Sequence, residues 1–153
     1  MLEEVLRTLS KCKSIDNIVI VSKDDAAIKL SKPFDAIQIF DDELGVNQAV
    51  HLADQHLSGL ECNCSVIFPQ DIPMMESSDV DSLLGFLKSK NSVILVPSRQ
   101  FNGTNALVRY HASSMKTQYD KGSYSHQINA AKSVTQKVSL ALIRRMMLDI
   151  DDE

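Results

Sequence analysis

This sequence has no excess of positive charge, no cysteine framework and no long apolar run, and each absence argues against a class of function. Its 16 Lys and Arg against 20 Asp and Glu leave a net charge of −4, which argues against nucleic-acid binding through a broad basic face. No apolar stretch approaches the ~20 residues that span a bilayer, so no membrane partner is expected. The N-terminus, Met1-Leu2-Glu3-Glu4, is acidic and lacks the basic start and apolar centre of a secretory signal. A cytoplasmic location is the expectation. Three cysteines, Cys12, Cys62 and Cys64, cannot pair completely. With no second Cys or His cluster at ligand spacing, packed or half-exposed thiols are expected in preference to a zinc site. His51, His56, His111 and His126 share no spacing with an acid and a nucleophile, so no nucleophilic constellation stands out.

What is present is an alternation of helix and strand. At 153 residues with 44% hydrophobic and 24% charged content, the chain fits one domain, 1–153, with a real core that buries ~70% of its unfolded surface. No repeat, low-complexity tract or linker interrupts it. Leu2, Val5, Leu6 and Leu9 predict a helix over 2–13. Strands follow at 17–22 and 35–40, around a helical turn that Asp24 or Asp25 caps and Lys32-Pro33 ends. A helix over 46–58 turns Val46, Ala49, Val50, Ala53 and Leu57 inward. Further strands are expected at 64–68, 92–96, 105–109 and 137–143, with helices at 79–89, capped by Ser77 or Ser78, and about 123–134, capped by Ser123. Strands separated by helices imply βαβ crossovers and a three-layer α/β/α fold with a mostly parallel sheet. In such sheets ligands bind beyond the carboxyl ends of the strands.

The chemistry-bearing residues lie at those ends. The run Ser92-Val93-Ile94-Leu95-Val96 opens into Pro97-Ser98-Arg99-Gln100-Phe101-Asn102-Gly103-Thr104-Asn105, a loop rich in backbone donors and small hydroxyls suited to an anion. Arg99 lies within it and is the basic residue best placed to meet a phosphate, ahead of Arg144 and Arg145. Asp71 follows one strand, and Asp149 and Asp151 follow a late apolar stretch. Hard carboxylate oxygens in such places suit Mg²⁺ together with phosphate oxygens. A solvated acidic tail and a turn residue are the alternatives for the two groups. Ser123 opens a helix, whose N-terminus is an anion site, although capping alone also explains a serine there. Asn47, near the start of another helix, is a hydrogen-bonding candidate on what is otherwise an ordinary helix surface.

Taken together and in order, Asp42-Glu43-Leu44-Gly45-Val46-Asn47-Gln48-Ala49, Pro69-Gln70-Asp71-Ile72-Pro73, Val96-Pro97-Ser98, Gly103-Thr104-Asn105-Ala106-Leu107, the segment from Tyr119 to Tyr124, and Leu148-Asp149-Ile150-Asp151 resemble the 2-phospho-L-lactate guanylyltransferase family. The resemblance implies a nucleotide-diphospho-sugar transferase (glycosyltransferase-A-like) fold. It implies transfer of guanylyl from GTP to 2-phospho-L-lactate or phosphoenolpyruvate, with release of pyrophosphate, in biosynthesis of the deazaflavin coenzyme F-420. By the same resemblance Asp71, Asp149 and Asp151 hold Mg²⁺ and form the catalytic centre. Gly103, Thr104 and Ser123 receive the phosphorylated acid, and Asn47 lies towards the nucleotide.

Two features depart from the family. Gln127 stands where a His is expected, with His126 one position early. The family also opens with a strand and a Lys/Arg-bearing loop that grips the nucleotide phosphates, whereas this chain opens on a helix and its 17–21 strand matches the family's second. The expectation is therefore an N-terminally truncated version of the fold, with two unpaired strand edges, an apolar gap, self-association or a homodimer, and little activity on its own. The competing readings are another nucleotidyltransferase of the same fold and a non-catalytic fragment or paralogue acting as an interaction module.

Overall fold

The computed structural model describes residues 1–42 and 44–148. Helix α1 (Leu2–Leu9) is followed by β1 (Val19–Val21), α2 (Asp25–Ser31), a single 3₁₀ turn (Lys32–Phe34), β2 (Ile37–Ile39), α3 (Val46–Leu57) and β3 (Cys64–Ile67). Then come α4 (Ser77–Gly85), β4 (Ser92–Pro97), β5 (Thr104–Tyr110), α5 (Ser123–Val134) and β6 (Lys137–Leu140). The expected helices and strands are all present, most of them shorter than the apolar patterns suggested. Asp24 caps α2, its Oδ1 accepting from the Ala26 N–H at 2.9 Å. Two caps differ from expectation. Helix α4 begins at Ser77 with Glu76 as its N-cap, because Asp79 Oδ2 accepts from the Glu76 N–H at 2.9 Å. Ser123 is the first residue of α5, and the cap is Gly122 at φ 78°, a left-handed conformation that glycine adopts without strain.

The strands form two sheets. One has the order β3-β5-β4-β6 and the other pairs β1 with β2 in parallel. In the larger sheet β4 and β6 are parallel, while β5 runs antiparallel to both β3 and β4. The loop joining β4 to β5 spans only residues 98–103, too short for the crossover that parallel neighbours need. The sheet is thus mixed where a mostly parallel one was expected.

β4 and β5 are buried on both faces, which is why their sequences read as unbroken apolar runs. Period-two alternation divides them between two cores. Ile94, Val96, Ala106 and Val108 face α1 and α4, where they meet Val5, Val80, Leu83 and Met146. Val93, Leu95 and Leu107 face the side of α5, with Met115 and Ala131. Helix α3 is fastened to the same face through one buried cation. Arg109, 1% exposed, donates to Asp54 Oδ2 at 2.9 Å, to Ser65 Oγ at 3.1 Å and to the Met115 carbonyl at 3.1 Å.

Among the described residues, neither β1 nor β3 has a second strand partner. Both line a cavity of about 770 Å³ between the two sheets, walled by Val5, Leu6 and Leu9 of α1, Leu84 and Leu87, and Val50 and Ala53 of α3. A five-residue strand, ~3.3 Å per residue long, ~4.8 Å wide and ~10 Å deep in a layered packing, occupies roughly 800 Å³.

Candidate active site

Register fixes which loops meet. Ile67 at the end of β3 pairs with Leu107 in the middle of β5, so that the chain beyond it runs alongside the start of β5; Pro97 at the end of β4 pairs with Thr104, and Leu140 at the end of β6 pairs with Leu95. The segment after β3 (with Asp71), the 98–103 loop and the segment after β6 therefore leave the sheet at one end. Asn105 strengthens this arrangement, its Nδ2 donating to the Met146 carbonyl at 3.0 Å and tying the last described turn to β5. Asp71 thus lies at the end of the sheet expected of it. Asp149 and Asp151 lie outside the described residues.

The 98–104 loop is built around Ser98, a residue whose role the sequence did not disclose. Its hydroxyl, 1% exposed, donates to Asn102 Oδ1 at 2.7 Å and accepts from the Gly103 N–H at 2.9 Å. The backbone closes over it, Ser98 N–H to the Gly103 carbonyl at 2.9 Å. A Cβ on Gly103 would stand 3.4 Å from both Ser98 side-chain atoms, so glycine lets the chain turn back tightly onto the serine. Thr104 follows directly and is 5% exposed. Its Oγ1 lies 3.3 Å from Ser123 Oγ at the head of α5, a length well beyond the usual ~2.7–2.8 Å of paired hydroxyls. Two weakly paired hydroxyls at a helix N-terminus can both turn to an anion. Phe101 packs edge-on against Tyr124, ring centroids 5.5 Å apart, beside this pair.

The structure brings Gly103, Thr104 and Ser123 together. Arg99, in the same loop, is exposed. Arg144 is exposed as well, whereas Arg145 is committed to Asp79, which accepts from its Nε and Nη2 at 2.8 Å each. Arg145 therefore fixes the 143–147 turn onto α4, and the expectation that it meets a phosphate is corrected. Asn47 is also engaged. Its Oδ1 accepts from the Tyr119 N–H at 2.8 Å, so α3 holds the strap, residues 111–122, that leads into α5.

Asp71 Oδ1 is buried and has no hydrogen-bond partner among the described residues. An unpaired buried carboxylate oxygen is costly, and it suits a hard cation. The described residues alone contain no group of three or more His, Cys, Asp or Glu arranged for a metal. Burial pushes both Cys64 and Cys12 up to about 11, so neither is a thiolate nucleophile near neutral pH.

Sequence reasoning also missed Arg109, which gave one signal, a lone charge inside the run Ala106-Leu107-Val108-Arg109-Tyr110. Gln127 on α5, the position noted for departing from the family, is fully buried, with neither amide atom partnered among the described residues.

Comparison with known proteins places these features. The family described as "Guanylyl transferase CofC like" matches residues 1–153. A phosphoenolpyruvate guanylyltransferase of Conexibacter woesei is 29% identical over 153 residues, covering 99% of this chain and 69% of that protein. A 2-phospho-L-lactate guanylyltransferase of a Methanocaldococcus species is 27% identical over 133 residues, covering 86% and 56%. Among solved structures, a nucleotide-diphospho-sugar transferase from Desulfovibrio desulfuricans superposes with a TM-score of 0.69 at 13% identity, covering 92% of this chain and 64% of its own. A 4-diphosphocytidyl-2C-methyl-D-erythritol synthase does so with a TM-score of 0.68 at 15% identity, covering 97% and 81%. The chain thus spans between about half and four fifths of the length of these proteins, and the likeness to the two solved structures establishes the fold.

Proposed function

Because the chain belongs to the family of CofC-like guanylyl transferases, we propose that it serves the transfer of a guanylyl group from GTP to a small phosphorylated acid, phosphoenolpyruvate or 2-phospho-L-lactate, releasing pyrophosphate. The product would enter deazaflavin coenzyme biosynthesis. The observation that carries the reading is the hydroxyl pair Thr104–Ser123 at the head of α5, closed in by the Ser98–Gly103 turn. This is a small, rigid anion subsite at the carboxyl end of β4.

In this reading an ionised phosphate oxygen of the acid attacks the α-phosphorus of GTP. A new P–O bond forms as the bond to the β-phosphate oxygen breaks, and pyrophosphate leaves with that electron pair. The attacking oxygen already carries charge, so no general base is required. The protein's task is to bring two anions together and offset their repulsion. Thr104 and Ser123 donate to the acid's phosphate, and the α5 dipole adds partial positive charge. Arg99, exposed beside them, approaches the triphosphate or the acid from solvent. Mg²⁺ fits Asp71, whose buried oxygen lacks a partner among the described residues, and the resemblance makes Asp149 and Asp151, outside the described residues, its further ligands. When bound it would neutralise charge on the phosphates.

The test is calorimetry of the chain with phosphoenolpyruvate, 2-phospho-L-lactate, GTP and ATP, each with and without Mg²⁺. Acid binding that is weakened by Thr104→Ala or Ser123→Ala supports the reading. Acid binding indifferent to both substitutions would place the subsite elsewhere.

A further inference from the structure

Gln127 is 0% exposed, yet its Nε2 and Oε1 both lack a hydrogen-bond partner among the described residues. A buried primary amide offers two donors and an acceptor, and leaving them unmet is among the costlier things a fold does. Such exceptions call for a specific explanation. Its place on α5 supplies one. Gln127 is four residues after Ser123, so the two share a helix face. Helical side chains lean toward the N-terminus and cover the turn before their own Cα, which here is the turn that Ser123 opens. The amide therefore belongs to the face of α5 that carries Ser123, whose hydroxyl is joined to that of Thr104 at the long distance of 3.3 Å.

We propose that Gln127 is a specificity-determining residue of the acid subsite, its Nε2 donating to the carboxylate of the phosphorylated acid once the anion parts the Ser123 and Thr104 hydroxyls. The inference rests on the acid subsite proposed above. An ionised substrate is acceptor-only, so Nε2 faces the carboxylate, while the single protons of the Ser123 and Thr104 hydroxyls go to the phosphate. The phosphate goes to the helix end and the carboxylate to the amide behind it, so an anion lacking a carboxylate gains nothing from Gln127. A neutral amide also titrates nowhere in the physiological range, unlike the His that the family resemblance implies at this position.

The experiment follows the Gln127 side-chain amide of the ¹⁵N-labelled 153-residue chain by NMR during titration with phosphoenolpyruvate and, separately, with inorganic phosphate. Calorimetry of Gln127→Met with the same two ligands accompanies it. The expected result is a Gln127 amide shift with phosphoenolpyruvate and a much smaller one with phosphate. In Gln127→Met, phosphoenolpyruvate affinity should fall at least tenfold while phosphate affinity changes less than twofold. The melting temperature should be unchanged or higher, since the substitution removes an unmet buried amide. A wild-type chain that binds phosphoenolpyruvate with the Gln127 resonance unmoved overturns this inference and leaves the acid subsite standing. Equal losses for both ligands in Gln127→Met overturn it too. A wild-type chain that binds no phosphoenolpyruvate overturns both. The NMR titration needs no substitution, so a poorly folding variant does not blunt it.

Discussion

Each hydroxyl of the Thr104–Ser123 pair is weakly engaged in the free protein, so its removal should cost little stability and much affinity. A hydrogen bond to a charged group is worth ~1.5–3 kcal/mol. Thr104→Ala and Ser123→Ala are each expected to weaken phosphoenolpyruvate binding by about tenfold or more in calorimetry, with the melting temperature nearly unmoved. Asp71→Asn keeps the shape and removes the charge, and should reduce Mg²⁺-dependent nucleotide binding while leaving metal-free acid binding in place. Arg109 shows the opposite behaviour. Truncating one partner of a buried ion pair typically costs ~3–5 kcal/mol, so Arg109→Met, which leaves Asp54 without its cation, is expected to lower stability by about that much in urea denaturation. Acid affinity should survive in the fraction that folds.

Among the elements, α4 carries a pH-dependent tie. Burial acts to raise the Asp79 carboxyl, but the Arg145 guanidinium and the Glu76 N–H outweigh it and hold Asp79 below the usual carboxylate range. A depressed folded-state value means the contribution is fully present above the unfolded value, near pH 4, and is lost as pH falls through the folded one. Asp79→Asn should therefore lower stability at neutral pH and flatten its decline below about pH 4, measured by denaturant titration across pH 2–7. Elements of this kind were legible in the sequence where local rules decide them. Asp24 before α2 and the apolar runs of β4 and β5 are examples. The cap of α4 was not, because Glu76 is a poor intrinsic capper that succeeds through the reciprocal Asp79 contact. Val46 was read as inward and is 55% exposed. The direction of β5 was hidden because strand patterns carry periodicity, not polarity. At the site, the placement of Asp71 beyond β3, Thr104 at the start of β5 and Ser123 at the start of α5 was legible from strand-end and helix-start positions. The hydrogen bonds of Ser98 were not, because they arise from a turn closing on itself.

For the whole molecule, the cavity between the sheets dominates. Two strand edges with unpaired backbone groups beside an apolar wall are a template for association. Residues 1–153 are expected to bind an apolar dye and to show concentration-dependent mass in sedimentation, with little turnover of GTP. A peptide of about five β-branched residues that suppresses both would identify a strand as what the space fits. A dye-free, monodisperse monomer would count against that description. The same division of the sheet also sets how the protein comes apart. Neither apolar core contains a residue of β1, α2 or β2, so residues 19–39 are held mainly by their own pairing and by α1 and α3. Parts with few core contacts open at lower free energy than the rest. Opening should be stepwise, with the first amides to exchange in β1 and β2 and the last in β4 and β5. Phe40 and Leu44, 67% and 73% exposed, border the weaker part, and chymotrypsin should sever the chain there first, leaving the β3-β5-β4-β6 sheet as the fragment that outlasts digestion.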